Sequence, residues 1–271
     1  MSSKVHRSPP FRAEHLGSLL RPDELKKVRT AYADKKATDA ELKPVTERAI
    51  KDVIERQIKL GYHALTDGEY NRHQFWGQWF PSLEGMKAIY DPPLSMFRTY
   101  VPDLAAFIES GYNPGESIIC SGKIRHTGKS VYVPEYEYVK SLTPESYWKE
   151  IKITLPAPEW YHLRYKDGEA YPSTVYENDE EYFADIATAY NKEIDLLYEA
   201  GCRNVQIDDP NMAYFCSEKM REGWKTDTSN KRSCDDLFHA YVKLYNDCLR
   251  TIKDDMHVGL HLCRGLSWTS T

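Results

Sequence analysis

The sequence has no long hydrophobic run, since none of its apolar stretches approaches the roughly 20 residues that a membrane-spanning helix needs. Its first ten residues lack the apolar segment of a secretory signal. Long runs of one charge are also absent, and 36 basic against 41 acidic side chains give a net charge of -5. This balance argues against the basic surface of proteins that bind nucleic acid or anionic membranes. We therefore expect a cytoplasmic protein that binds neither nucleic acid nor membranes.

Paired cysteines and a nucleotide-binding glycine turn are missing as well. The six cysteines are scattered without any CxxC, which in a chain of this length indicates reduced thiols and argues against a disulfide framework. No GxGxxG follows a strand, which argues against a doubly wound dinucleotide-binding sheet. Because there is no internal repeat or low-complexity linker either, we interpret residues 1–271 as a single domain.

What the sequence does contain is an alternation of strand and helix patterns. Strands are predicted in FRAEHLGS, HALTDGE, SIICSGKI, IKITL, NVQIDDP and HVGLHLC. Helices are predicted after the capping box of Thr38 and Glu41 as far as Gly61, in DEEYFADIATAYNKEIDLLYEAG, and in CDDLFHAYVKLYNDCLRTIK. This order predicts an α/β fold, and the length favours an incomplete (β/α)8 TIM-type barrel with about six of its eight strands.

Polar side chains cluster at the predicted strand ends, which form the functional rim of such a barrel. They are Ser18, Asp67, Glu69, Glu159, Trp160, Asp208, Asp209, His261 and Cys263. Their convergence predicts a site at the carboxyl ends of the strands.

Taken singly, these residues also have plain structural interpretations. Asp208 could cap a helix or form a turn, and Glu69 could be solvated beyond its glycine turn. His261 and Cys263 are spaced i, i+2, so on a strand both side chains leave by one face and can meet one ion. Imidazole and thiolate are ligands that zinc prefers, but His and Cys on strands are often ordinary core residues. The pattern alone leaves both interpretations open.

Five motifs together resemble a known family. HLGSLLRP, LTDGEYNR, ITLPAPEW, VQIDDP and LHLCRG, in this order and at these separations, are similar to the catalytic domain of cobalamin-independent methionine synthase and to its shorter single-domain relatives. The resemblance implies a zinc-dependent methyl transfer from 5-methyltetrahydrofolate (polyglutamate) to the thiol of homocysteine on a (β/α)8 barrel. It implies no covalent intermediate on a side chain.

The resemblance also implies roles for individual residues. Gly17, Ser18, Glu69 and Asp208 match the residues that hold the amino acid, and Trp160 is the candidate for contact with the pterin. His261 and Cys263 match two of the zinc ligands. The family's other two ligands, a Glu and a second Cys, come from a later part of the barrel, whereas this chain ends eight residues after Cys263.

We therefore interpret the chain as a methionine-synthase-like barrel domain that lacks its C-terminal part. Two alternatives stay open at the level of sequence. One is a zinc thiol alkyltransferase with a different methyl donor or thiol acceptor. The other is a non-catalytic truncated paralogue, which the missing ligands favour.

Overall fold

The structure is a computed structural model that describes residues 15–111 and 115–263. Its strands are β1 (Glu84–Tyr90), β2 (Glu116–Arg125), β3 (Lys152–Pro156), β4 (Asn204–Asp209) and β5 (His257–Leu262). Its α-helices are α1 (Asp23–Ala33), α2 (Asp39–Lys59), α3 (Trp79–Ser82), α4 (Pro102–Glu109), α5 (Val133–Ser141), α6 (Asp179–Glu199), α7 (Asn211–Tyr214), α8 (Glu218–Thr226) and α9 (Cys234–Cys248). Short 3-10 helices span Leu94–Met96 and Glu145–Glu150.

A parallel sheet of β3, β4 and β5, in that order, forms the centre of the described structure. Every residue of β3 and β4 is buried, which agrees with their nearly continuous apolar runs. Helix α6 connects β3 to β4 and α9 leads to β5, as in a repeated strand–helix unit. Because the three strands run in the same direction, their carboxyl ends lie along one edge of the sheet.

The three helices predicted from sequence are confirmed as α2, α6 and α9. Helix α2 begins after Thr38, whose backbone N–H donates to the Glu41 carboxylate over 2.8 Å, and Gly61 follows its end with φ +76°. Helix α6 is capped by Asn178, whose side chain accepts from the Glu181 N–H over 3.0 Å. The α/β class predicted from the alternation of patterns is therefore correct.

The prediction of six barrel strands is wrong for the described residues, which contain five strands in two sheets. SIICSGKI lies in β2, which pairs antiparallel with β1 in a separate hairpin and takes no part in the parallel sheet. Gly85 makes this pairing possible, since a Cβ there would lie 2.5 Å from two carbonyl oxygens of β2. The preceding EGMKAIY segment supplied a partner for β2 that the pattern analysis did not identify as a strand.

The first two predicted strands also differ from expectation. In FRAEHLGS, residues 15–18 form no strand and residues 11–14 lie outside the described part. In HALTDGE, only Leu65 makes a parallel bridge, to Ile151 beside β3, because the chain turns at Gly68 and Glu69. The described residues thus form an open parallel sheet, and they do not establish the predicted closed-barrel type.

Two further expectations concern the whole chain. All six cysteines lie in described segments and none is in a disulfide, as predicted. Among residues 15–111 and 115–263, no helix is long and apolar enough to cross a membrane.

Candidate substrate-binding site at the sheet edge

Asp208 and His261 meet at the carboxyl edge of the parallel sheet. They lie opposite each other in the register of β4 and β5, and the His261 Nδ1 is 3.0 Å from the Asp208 Oδ1. The same oxygen accepts from the Gln206 side-chain amide over 2.6 Å. Asp208 is buried, so these donors offset part of the cost of placing a carboxylate there. The structure therefore brings two of the predicted site residues into contact.

Glu69 reaches the same edge from a tight turn. Gly68 and Glu69 both have left-handed backbone conformations, with φ +70° and +58°. For a residue other than glycine this conformation costs about 1–2 kcal/mol. The Asp67 Oδ1 accepts from the Glu69 N–H over 2.8 Å and so stabilises the turn. The turn points the Glu69 side chain into the protein, where its exposed fraction is 1%.

The Glu69 carboxylate is only partly satisfied. Its Oε1 accepts from the Thr154 hydroxyl over 2.7 Å and lies 3.9 Å from the Arg72 Nη1, whereas its Oε2 has no hydrogen-bond partner among the described residues. Burial raises the pKa of Glu69 to about 7, the Arg72 charge and the Thr154 hydrogen bond oppose this, and the charges of Asp208 and Asp67 add to it. A cation bound at Oε2 would favour the ionised form and satisfy a buried acceptor.

Gly17 lies against this carboxylate. A Cβ at Gly17 would come 2.4 Å from the Thr154 methyl group and 3.3 Å from the Glu69 Oε1, so only glycine permits so close an approach. The Gly17 carbonyl accepts from the Thr66 hydroxyl over 3.0 Å, which fixes the backbone there. Ser18 follows and is exposed. The predicted residues Gly17 and Glu69 are thus in close contact, and the charge of Asp208 is near enough to raise the pKa of Glu69.

Trp160 belongs to an aromatic cluster next to the end of β3. Its ring stacks on Trp76 with centroids 4.8 Å apart, and the Arg164 guanidinium carbon lies 3.6 Å from its centroid. Phe75 contacts it edge-on at 4.9 Å. Only 5% of Trp160 is exposed, whereas Trp76 is half-buried. Trp76 therefore offers a ligand more ring surface than the predicted Trp160 does.

His261 and Cys263 supply part of a metal-ligand set. The contact of the His261 Nδ1 with Asp208 leaves its Nε2 available, which is the arrangement that orients a ligating imidazole. Cys263 follows two residues later and is half-buried. Across the described segments, however, no three His, Cys, Asp or Glu side chains are grouped so that they could hold a metal. The pair thus fits two positions of a tetrahedral zinc site, and the described residues do not complete it.

Four supporting residues at the site were not identified from sequence, and they are Arg72, Glu135, Thr154 and Trp76. Arg72 is fully buried and donates to Thr154, and its guanidinium pairs with Glu135 of α5. Arg72 lies in the quoted motif LTDGEYNR, but nothing in its spacing indicated contact with a strand 82 residues away. The aromatic density of RHQFWGQWF was a detectable signal for Trp76, although it did not single out that residue.

Glu159, which the sequence also placed at the rim, is completely buried behind the site. Burial and the charge of nearby Asp209 raise the pKa of Glu159 well above its ordinary value. Asp209 accepts from the Tyr245 hydroxyl over 2.7 Å. Glu159 and Asp209 thus form a buried acid pair at the end of β4.

Comparison with known proteins supports the family resemblance. No protein-family profile matches the chain. YxjH of Bacillus subtilis, an uncharacterized protein, is 29% identical over 97% of this chain and 64% of its own length. A methionine synthase of Saccharolobus solfataricus is 26% identical over 72% of this chain and 51% of its own. A crystal structure from Listeria monocytogenes, assigned as a vitamin-B12-independent methionine synthase, has a TM-score of 0.67 at 26% identity and covers 94% of this chain.

These findings show that the chain is similar to a family of methyltransferases. The family is that of the B12-independent methionine synthases, so the resemblance inferred from the five motifs is confirmed. The chain spans 64% of YxjH, 66% of the Listeria chain and about half of the archaeal synthase.

Proposed function

We propose that this chain carries the amino-acid-binding part of a site for zinc-dependent methyl transfer from 5-methyltetrahydrofolate to the thiol of homocysteine. The observation that carries the proposal is the buried Glu69 Oε2, which has no partner among the described residues and lies near Asp208. A buried acceptor of this kind calls for a donor from a ligand. The primary ammonium group of an amino acid, with its three N–H donors, meets that requirement.

The two carboxylates bind and orient the substrate. Glu69 and Asp208 pair with its ammonium group at the carboxyl edge of the sheet, and the Gly17 backbone lies alongside. Holding the amino group at two points directs the sulfur toward β5 and lowers the entropic cost of meeting the methyl donor. His261 is kept in one ring orientation by its contact with Asp208.

His261 and Cys263 are the residues of this chain that would hold zinc. Bound zinc stabilises a thiolate at neutral pH, which is the nucleophilic form of the homocysteine sulfur. In the overall reaction the donor's N–CH3 bond breaks and a new S–CH3 bond forms, and the proton that the thiol loses is balanced by the proton that the donor nitrogen gains. The aromatic cluster of Phe75, Trp76 and Trp160 offers a flat apolar surface for the pterin of the donor.

The test is homocysteine binding by titration calorimetry, with Asp208→Asn compared to Cys202→Ser. We expect Asp208→Asn to weaken binding about tenfold or more, because a charge-assisted contact to the ammonium is lost. Cys202 is buried away from the sheet edge, so its serine variant should bind as the wild type does. Unchanged affinity in Asp208→Asn would remove this residue from the site.

A second candidate function is a non-catalytic chain that binds an amino acid. It is favoured by the lack of a three-ligand metal group among the described residues. Elemental analysis separates the two, since near-stoichiometric zinc supports the methyltransferase and homocysteine binding without zinc supports the alternative.

A third candidate, a zinc thiol alkyltransferase with another donor, is favoured by the covered ring of Trp160. It predicts zinc and thiol binding without methylfolate-dependent methionine formation.

A further inference from the structure

A chain of polar contacts runs from helix α5 to the Oε1 atom of the Glu69 carboxylate. The Arg72 guanidinium donates to the Glu135 carboxylate, with Nη2 2.6 Å from its Oε2, and Nη1 donates to the Thr154 hydroxyl over 2.8 Å. Thr154 in turn contacts the Glu69 Oε1 over 2.7 Å. Arg72, Thr154 and Glu69 are all buried, so water does not compete with these contacts.

The direction of every proton in this chain follows from the chemistry of its members. A guanidinium group can only donate, so the Thr154 oxygen must accept from Arg72. A hydroxyl has one proton, and that proton therefore goes to the Glu69 Oε1. The acidic proton of Glu69, when present, is left to Oε2. The contacts thus distinguish the two oxygens of one carboxylate.

The members of this chain have little freedom to rearrange. Arg72 also donates from Nη1 to the Phe75 carbonyl over 3.1 Å, and its guanidinium carbon lies 4.8 Å from the centre of the Tyr132 ring. The methyl group of Thr154 lies directly against Gly17, where no Cβ would fit. Because Thr is β-branched, a methyl group held in this way also fixes its hydroxyl.

We infer that Thr154, held by the Arg72–Glu135 pair, is a positioning residue that fixes the Glu69 carboxylate with Oε2 free for the substrate ammonium. The inference rests on the proposed function for the identity of the ligand. It adds that amino-acid binding depends on a strand residue that does not touch the substrate.

Glu69 is faced by charges from several elements. Asp67 on its own turn and Asp208 on β4 disfavour a second negative charge, while Arg72 and the Thr154 hydrogen bond favour the ionised form. Removal of the Thr154 hydroxyl should therefore raise the pKa of Glu69, and ammonium binding should require a higher pH. A residue that only filled space would leave this pH dependence unchanged.

The experiment compares Thr154→Val, which keeps the shape and removes the hydroxyl, with Thr154→Ser, which keeps the hydroxyl and removes the methyl group. Thr188→Val is the matched control, because the Thr188 hydroxyl is exposed on α6 and bonds within that helix. Glu69 is titrated by carboxyl ¹³C NMR in ligand-free protein, and Glu69→Gln identifies its resonance. Homocysteine affinity is measured across the same pH range.

We expect Thr154→Val to move the Glu69 titration upward by about one pH unit, and homocysteine affinity near pH 7 to fall about fivefold as a result. Affinity should recover at high pH, and Thr188→Val should titrate as the wild type does. Thr154→Ser should shift the Glu69 titration much less than Thr154→Val, because its hydroxyl still lies between Arg72 and Glu69. An unshifted Glu69 in folded Thr154→Val, or a shift of equal size in Thr154→Ser, would overturn the inference. A shifted Glu69 in protein that binds no homocysteine would uphold the positioning of Glu69 and contradict the proposed function.

Discussion

The two sides of the candidate site differ in how they are built. On the carboxylate side, Glu69 and Thr154 are buried. The Thr154 hydroxyl donates to the Glu69 carboxylate and is itself held by the Arg72 guanidinium. On the other side, β5 pairs only with β4 within the described residues, and Leu260 and Leu262 are 50% and 51% exposed. The comparison teaches that the proposed amino-acid binding and the proposed metal binding should be separable by mutation, because only the first has its supporting residues in the described structure.

The largest expected effect is on the carboxylate side, where Arg72→Ala removes a buried cation. Glu135 and Thr154 would lose their charged donor, and breaking a buried pair in this way costs about 3–5 kcal/mol of unfolding free energy. Arg48→Ala is the control, since the Arg48–Glu24 pair is solvent-exposed and is worth about 1 kcal/mol or less. Urea unfolding measures both, and similar losses would mean that the carboxylate side is not specially supported.

A second prediction concerns the stability cost of Glu69 itself. Its pKa rises from 4.5 to about 7 on folding, so the folded state holds more protons than the unfolded state between these values. Stability should therefore fall as pH rises from about 4.5 to 7, by about 1–3 kcal/mol. Glu69→Gln should abolish this loss, and should be more stable than wild type at pH 8 while binding homocysteine poorly.

The matched control for this prediction is Glu55→Gln, at an exposed position on α2. Urea unfolding of the wild type, Glu69→Gln and Glu55→Gln at pH 5 and pH 8 gives the change of unfolding free energy with pH. If Glu69→Gln keeps the wild-type pH dependence, Glu69 is ionised in the folded protein at both values and is not a strained ligand group.

The aromatic cluster next to the end of β3 should give a smaller effect. If the methyl donor stacks on Trp76, Trp76→Ala should weaken methylfolate binding by about 1 kcal/mol, roughly fivefold, while Trp76→Phe should restore most of it. Trp160→Ala should mainly reduce stability, because the ring is packed between Trp76 and Arg164. Fluorescence titration measures binding, and a loss confined to Trp160→Ala would return the donor contact to that residue.

The sequence predicted the central strands and the long helices because their signals are local. Apolar runs ending in Asp208 and His261 indicate parallel strand ends, and the capping box at Thr38 indicates a helix start. The partner of β2 could not be predicted, because antiparallel pairing depends on the geometry of two distant glycine-containing segments. The contact of Arg72 with Thr154 joins residues far apart in sequence, and no local pattern encodes it.

The smallest structural effect is expected on the β5 side, where Cys263→Ser tests the metal directly. Serine is a far weaker zinc ligand than thiolate, so we expect zinc content per chain to fall sharply while homocysteine binding through Glu69 and Asp208 largely persists. Cys202→Ser is the control, because burial raises the pKa of the Cys202 thiol to about 12 and the residue lies away from the sheet edge. Elemental analysis of both variants decides the point. Equal zinc content would make Cys263 an ordinary strand residue, and loss of both zinc and amino-acid binding would mean that the two sides act as one site.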